Sequence, residues 1–161
     1  MTKLSKALSM LALWVSMIGL SAMTLIICWQ VFARYVLSDT PAWAEQAALF
    51  LMLWFILFAA AVGVREGFHI RLSILQDNLP PNYKKYVQLM CHAIVLLFGI
   101  CMTIGGGQLV VATWSHQIPT LGLPRGSAYI PIIGSGLLIA FFSIEHFWRT
   151  IKNESVEPIW S

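Results

Sequence analysis

Uncharged, mostly apolar segments alternate with short charged segments along most of the chain. A helix needs about 20 predominantly apolar residues to cross the hydrocarbon core of a bilayer. Runs without Asp, Glu, Lys or Arg that approach or exceed this length cover residues 7–33, 46–64, 86–124 and 126–144. The pattern therefore predicts an all-α membrane protein of one domain, with four spans at about residues 9–33, 44–64, 86–111 and 127–147.

The third run is too long for one span and too short for two. Its second part, residues 114–124, is interrupted by polar side chains and by Pro119 and Pro124, which cannot donate backbone hydrogen bonds. We predict that the helix ends near Val111 and that an ordered extramembrane loop follows. A loop that dips back into the membrane is the alternative.

The first run begins like a signal peptide, because Lys3 and Lys6 precede an apolar stretch. The apolar region of a signal peptide is only about 7–15 residues long, and this run is nearly twice that length. We interpret it as a retained first span.

Lys and Arg are distributed unequally between the segments that flank the spans. With the N-terminus in the cytoplasm, the basic residues on the cytoplasmic side are Lys3, Lys6, Arg65, Arg71, Lys84, Lys85, Arg149 and Lys152. Only Arg34 and Arg125 then lie on the outer side. Basic residues are concentrated on the cytoplasmic side of membrane proteins, so we predict that both termini are cytoplasmic.

The segment between the second and third spans carries a helical pattern of its own. Within residues 68–81, large apolar side chains recur at spacings of three and four, at Phe68, Leu72, Leu75 and Leu79. This spacing predicts a short amphipathic helix in the membrane interface, ended by the two prolines that follow. An ordinary connecting loop is the alternative.

Composition supports the membrane assignment and removes other classes. The chain is 58% hydrophobic and 11% charged, with a mean hydropathy of +0.76, whereas soluble domains carry about 25% charged residues. A soluble, disordered or nucleic-acid-binding protein is excluded, although the net charge is +3. Since the excess of basic residues lies on the predicted cytoplasmic side, it indicates the orientation of the chain in the membrane.

Charged residues are missing from the middle of every predicted span. Ionisable groups within a membrane normally mark ion or proton pathways, and the nearest candidate, Glu45, lies at the outer boundary, beside Arg34 in our interpretation. Glu145 and Arg149 are spaced for a surface pair on one helix. A small self-associating ion-coupled transporter is therefore disfavoured.

The sequence also contains no motif for enzyme or metal chemistry. The three cysteines form no C-x-x-C pair, and no phosphate loop or nucleophile elbow is present, so we expect neither catalysis nor a cofactor. His92 and His146 lie towards the cytoplasmic ends of spans three and four. A haem-bearing anchor of a respiratory complex, with these histidines as ligands, remains as the alternative function.

Small residues provide the main positive signal within the spans. Gly99, Thr103 and Gly107 recur every fourth residue on the third helix, and Gly136 and Ala140 do so on the fourth. Membrane helices associate through such small residues because their backbones can approach closely. These faces suit either packing within the chain or packing against a partner.

The outer segments carry exposed polar and aromatic groups on a shaped scaffold. Arg34, Trp43 and Glu45 flank the first connection, and residues 118–129 combine several turn formers with Arg125. Functional groups favour loops that a rigid scaffold holds in place. A docking platform for a periplasmic protein is one interpretation, and simple connectors between helices are the other.

Four sequence elements, in order along the chain, resemble the small membrane subunit of tripartite ATP-independent periplasmic (TRAP) transporters. They are Arg34 with Trp43 and Glu45; Gly63 and Arg65 with His69 and Ile70; Leu79 and Pro80; and Pro119, residues 121–124 and Tyr129. The likeness extends from about residue 10 to 148. Gln46 departs from it, because many members carry a second acidic residue there.

The resemblance implies a function that composition does not reveal. Small subunits of this family pair with a large transmembrane subunit in the bacterial inner membrane, which holds the substrate and sodium sites. A periplasmic substrate-binding protein delivers an organic acid, such as a dicarboxylate or a sialic acid. The small subunit would be a non-catalytic scaffold of this sodium symporter.

This scaffold hypothesis assigns candidate interface roles to particular residues. Those fixing the outer helix ends or contacting the binding protein would be Arg34, Trp43, Glu45 and Arg125. Those anchoring the inner boundary or facing the large subunit would be Arg65, His69, Gly99, Thr103 and Gly107.

Overall fold

The computed structural model describes residues 2–39, 41–66 and 81–152. These residues form α1 (Thr2–Val36), α2 (Ala42–Arg65), α3 (Pro81–Thr113), a 3₁₀ helix (Arg125–Tyr129) and α4 (Ile130–Lys152). Each of the four α-helices contains a segment long and apolar enough to cross a membrane. The predicted all-α fold with four spans is confirmed.

The helices extend beyond the predicted spans because helical hydrogen bonding continues into their polar flanks. Helix α1 begins at Thr2 and α3 at Pro81, each several residues before the predicted span. Proline suits the first position of α3, since the N–H groups of a first helical turn have no intrahelical acceptor. The amphipathic helix predicted for residues 68–81 lies almost wholly outside the described residues.

The helices are arranged as an open row, in the order α1, α2, α4, α3. In the described residues, extensive helix pairing joins α1 to α2, α2 to α4, and α4 to α3. Helix α4 is accordingly the most enclosed, with 39% of its most apolar segment buried against 11% for α3. The row leaves broad apolar faces that the other described residues do not cover.

Helix α1 meets α2 along a seam of small side chains. The buried residues of α1 recur at spacings of three and four, and five of them are Ser5, Ser9, Ala12, Ser16 and Gly19. The Ser16 hydroxyl donates to the Phe55 carbonyl at 3.2 Å, and a Cβ on Gly19 would overlap the Phe55 ring. Small residues thus bring the two backbones together, as expected where lipid offers no hydrophobic driving force.

Helices α3 and α4 approach equally closely. A Cβ built on Gly99 would lie 2.9 Å from the Ala140 backbone nitrogen, and one on Gly136 would lie 2.6 Å from the Thr103 hydroxyl oxygen. The Thr103 hydroxyl itself donates to the Gly99 carbonyl at 2.9 Å. The small faces predicted on these two helices therefore pack against each other within the chain.

The connection between α3 and the 3₁₀ helix is an ordered turn. Ile118 N–H donates to the Leu123 carbonyl at 2.9 Å, and Arg125 N–H donates to the His116 carbonyl. Gly122 has φ +64°, a left-handed conformation that glycine adopts without steric cost. The predicted ordered loop is confirmed, and it gives Arg125 a defined position.

Candidate partner-binding surfaces and a buried polar cluster

The two ends of the row differ in the polar side chains they hold. We call the end where α1 and α3 begin and α2 and α4 finish the terminal end, and the opposite end the loop end. At the terminal end, buried polar residues gather between the helices; they are Ser5, Ser9, Arg65, His92, Ser143 and Glu145. At the loop end, the polar candidates from the sequence are exposed.

Arg65, the last residue of α2, is buried at the terminal end. Only 4% of its side chain is exposed. Its Nε donates to the Ser5 hydroxyl oxygen at 3.1 Å, and its Nη1 donates to a Glu66 carboxylate oxygen at 2.8 Å. The small side chain of Ser5 leaves room for the guanidinium between α1 and α2. Arg65 therefore lies at the predicted helix boundary, but it faces neighbouring helices rather than a partner.

His146 of α4 joins Arg65 to the far side of the row. Its Nε2 lies 2.8 Å from the Arg65 carbonyl oxygen, and because a carbonyl only accepts, Nε2 carries the proton. The His146 ring stacks on the His92 ring of α3, with centroids 5.2 Å apart and planes inclined by 17°. Ser5, Arg65, His146 and His92 thus connect α1, α2, α4 and α3 in the order of the row.

A second ion pair lies beside these contacts. Glu145 and Arg149 approach to 3.4 Å, with 5% and 16% of their side chains exposed. The predicted pairing is confirmed, but the expectation that it is a surface pair is wrong. Glu145 lies on the side of α4 that the neighbouring helices cover. A carboxylate can be buried there when a cation accompanies it, and Arg149 is that cation.

The four ion-paired groups of the terminal end compensate one another. Arg65 pairs with Glu66 and Arg149 with Glu145, so these four groups have no net charge. Each ion pair is formed within one helix or across its end, whereas the Ser5 and His146 contacts cross between helices. The cluster therefore links neighbouring helices across the row.

The geometry of the histidines does not suit the haem alternative. A bis-histidine haem needs both rings to point a nitrogen at one iron from opposite faces of the porphyrin. Here the His92 and His146 rings are stacked on each other, and the Nε2 of His146 already donates to the Arg65 carbonyl. The two histidines, considered from the sequence as haem ligands, instead pack against each other.

At the loop end, Arg34, Trp43 and Glu45 are exposed. In the described parts of the chain, no ion pair joins Arg34 to Glu45. That these side chains fix the outer ends of α1 and α2 stays a prediction; the buried residues there are Ala33 and Ala44. The three exposed groups remain available to a partner.

The small-residue candidates on α3 divide between two environments. Gly99 and Thr103 lie against α4, which corrects their assignment to a partner interface. A Cβ on Gly107 would meet nothing within 4 Å, so this position can still face another protein. His69 lies outside the described residues.

Sequence reasoning missed the serine seam of α1 and the contact between Arg65 and Ser5. The available signal was the recurrence of small residues at Ser5, Ser9, Ala12, Ser16 and Gly19. Serine in an apolar helix is easily classed by its polar hydroxyl alone, yet its small side chain allows close contact between helices.

Comparison with known proteins identifies the family to which a chain of this geometry belongs. A family model described as "Tripartite ATP-independent periplasmic transporters, DctQ component" matches residues 23–153. The chain belongs to this family. The matched segment contains all of α2, α3 and α4, and therefore includes Arg65, His92 and His146 of the polar cluster. The resemblance inferred from the sequence is confirmed.

Relatives in the DctQ family carry several substrate names. The chain is 34% identical over 100 residues to the C4-dicarboxylate TRAP transporter small permease protein DctQ of Vibrio cholerae, covering 62% of this chain and 40% of that protein. It is 21% identical over 140 residues to the sialic acid TRAP transporter small permease protein SiaQ of the same organism, covering 83% and 77%.

A third relative is a much longer protein. The chain is 26% identical over 123 residues to the isethionate TRAP transporter permease protein DctMQ of Oleidesulfovibrio alaskensis, covering 71% of this chain and 19% of that protein. This DctQ-family chain therefore matches a minor part of a larger permease.

Proposed function

We propose that the chain is the non-catalytic scaffold subunit of a TRAP transporter that imports an organic acid in symport with sodium. The open row of helices is the observation that carries this proposal. A row with α1 and α3 at its edges leaves broad apolar faces on the membrane domain, and a large transmembrane subunit would cover part of them. The match to part of the longer DctMQ protein supports such a pairing.

Substrate and sodium sites would lie on the large subunit. In the part of the chain that the structure describes, the buried charged side chains lie at the terminal end in compensating pairs. A coupled transport path needs ionisable or polar groups that bind and release ions within the membrane. The names of the relatives make a dicarboxylate or a sialic acid the first substrates to test.

The loop end would face the periplasm and the terminal end the cytoplasm of a bacterial cell. The distribution of Lys and Arg favours this orientation. To test it, single cysteines at Ser38 and Thr120 are introduced into a chain whose native cysteines are alanine. A membrane-impermeant thiol reagent should label both in intact cells. Labelling only after lysis contradicts the orientation.

Gly107 provides a test of the large-subunit interface with a matched control. Gly105 and Gly107 both have open space where a Cβ would lie, but two residues of helix rotate them to nearly opposite faces of α3. If the Gly107 face contacts the large subunit, Gly107→Ile should reduce its co-purification and substrate uptake, whereas Gly105→Ile should leave both unchanged. Equal behaviour of the two variants removes this face from the interface.

The periplasmic substrate-binding protein would dock on the loop end, where Arg34, Trp43 and Glu45 are exposed. The direct test is purification of the complete transporter in mild detergent, followed by binding of the cognate binding protein to the wild type and to Trp43→Ala. Weaker binding by the variant supports docking at this end. Unchanged binding contradicts a contact through Trp43.

A further inference from the structure

A groove lies at the loop end between α2 and the ordered turn that precedes α4. It has a volume of about 230 Å³. From α2 it is lined by residues at helical spacing along one face, namely Gln46, Leu49, Phe50 and Leu53. The opposite wall comes from the turn and the 3₁₀ helix, through Gln117, Ile118, Pro119, Arg125, Ala128 and Tyr129.

Along the α2 wall of this groove, one polar residue is followed by apolar residues. Gln46 lies within the first turns of α2 near the loop end, and Leu53 lies seven residues further along, about 10 Å deeper at the rise of an α-helix. Leu49, Phe50 and Leu53 make the deeper wall apolar. The α2 wall is therefore polar near the loop end and apolar further along the helix.

Arg125 supplies a cation at the polar end. No acidic residue lines the groove, and in the described ranges no carboxylate pairs with Arg125. The turn fixes its backbone, because its N–H donates to the His116 carbonyl. A guanidinium presents several N–H donors in a planar fork that matches phosphate oxygens.

We propose that this groove binds a membrane phospholipid, with the phosphate at Arg125 and the first part of an acyl chain against Leu49, Phe50 and Leu53. The anionic phosphate complements the guanidinium, with which no carboxylate of the described residues pairs, and Gln46, Gln117 and Tyr129 of the lining are further hydrogen-bonding groups. A freely soluble organic anion would satisfy Arg125 but would gain nothing from the apolar wall. The bound lipid would hold the turn carrying Arg125 against α2.

Native mass spectrometry of the full chain, released from nanodiscs of phosphatidylethanolamine and phosphatidylglycerol, tests the site. Arg125→Gln should weaken phospholipid retention about tenfold, the effect of losing one charge-assisted hydrogen-bonded contact. Arg125→Lys should retain more lipid than Arg125→Gln. Arg34→Gln is the matched control, since Arg34 is exposed at the same end and does not line the groove.

A second pair of variants tests the apolar wall without changing charge. Leu49 and Ile56 are both exposed on α2, at 56% and 53%, but only Leu49 lines the groove. Leu49→Trp should narrow it and lower phospholipid retention, whereas Ile56→Trp should behave as the wild type.

Competitors identify the ligand chemistry. Excess glycerol phosphate or succinate, which lack acyl chains, should not displace the lipid, and diacylglycerol, which lacks phosphate, should not replace it. Displacement by succinate would overturn the lipid assignment in favour of a soluble anion. Equal lipid retention by the wild type and Arg125→Gln would also overturn it. This holds even if Arg125→Gln weakens recruitment of the periplasmic binding protein.

Discussion

The Nε2 of His146 donates to the Arg65 carbonyl oxygen across 2.8 Å, joining α4 to the end of α2. The last carbonyl groups of a helix have no intrahelical donor, and Arg65 is the final residue of α2. Among the described residues, His146 is the side chain that supplies a hydrogen bond to this main-chain carbonyl. Because the same ring stacks on His92, one side chain contacts both α2 and α3 from α4.

Replacing His146 by Ala is expected to lower the free energy of unfolding by about 1–3 kcal/mol, because the Arg65 carbonyl loses the hydrogen bond from the imidazole. Gln at this position can donate through its side-chain amide and should lose less. Unfolding of the purified chain in mixed micelles measures both effects. His116, exposed in the ordered turn, provides the control, and a loss in His116→Ala equal to that in His146→Ala would contradict the assigned role.

Arg65 is expected to be more sensitive than any exposed arginine. Arg65→Met leaves the buried Glu66 carboxylate without this cation, and removing one partner of a buried pair costs about 3–5 kcal/mol. Arg65→Lys should also destabilise, since an ammonium on a flexible stem does not reproduce the planar fork that reaches both Ser5 and Glu66.

The control for Arg65 is Arg34→Met at the loop end, where the side chain is exposed. Its free energy of unfolding should stay close to that of the wild type. Ser5→Ala removes one acceptor of the guanidinium and should cost about 1 kcal/mol. If Arg65→Met proves as stable as Arg34→Met, the guanidinium does not fasten α1 to α2.

The helices were predictable because each needs an uninterrupted apolar run, and the charges at Arg34, Glu45 and Arg65 delimit those runs directly. The order of the helices in the row was not predictable, because helical spacing marks a face without naming its neighbour. Gly99 and Gly107 show this limit: they belong to one sequence stripe, yet a Cβ would meet α4 at the first and open space at the second.

The burial of charged side chains at the helix ends was likewise not predictable from the sequence. Glu145 and Arg149 have the spacing of a surface pair, and only tertiary packing shows that 5% of the Glu145 side chain is exposed. The same holds for the groove at Arg125, whose two walls come from segments about 70 residues apart in the chain. The candidate residues were identifiable by type, but their partners depend on which helices become neighbours.

Close packing of α3 on α4 gives a prediction in which two similar substitutions differ in sign. Ala is a better helix former than Gly by about 1 kcal/mol, so Gly105→Ala, where the added Cβ meets nothing within 4 Å, should stabilise the chain. Gly99→Ala gains the same propensity but places a Cβ 2.9 Å from the Ala140 backbone nitrogen. It should destabilise, since overpacking typically costs about 1–3 kcal/mol.

Thermal unfolding in one detergent compares these two variants. A stabilising Gly99→Ala would show that α3 and α4 can separate at no cost, and the tight contact at Gly99 would then have no role in holding them together.

Two left-handed positions at the loop end should respond in opposite directions. Ser38 has φ 55° and Gly122 has φ +64°, and a residue with a Cβ pays roughly 1–2 kcal/mol for this conformation. Ser38→Gly should therefore raise the free energy of unfolding, whereas Gly122→Ala should lower it. A Cβ on Gly122 meets nothing within 4 Å, so its cost comes from the backbone alone. Ser38→Ala, which keeps a Cβ, should bring no gain, and chemical unfolding of all three variants measures the signs. A gain in Ser38→Ala equal to that in Ser38→Gly would mean that the serine hydroxyl, rather than its backbone conformation, destabilises the end of α1.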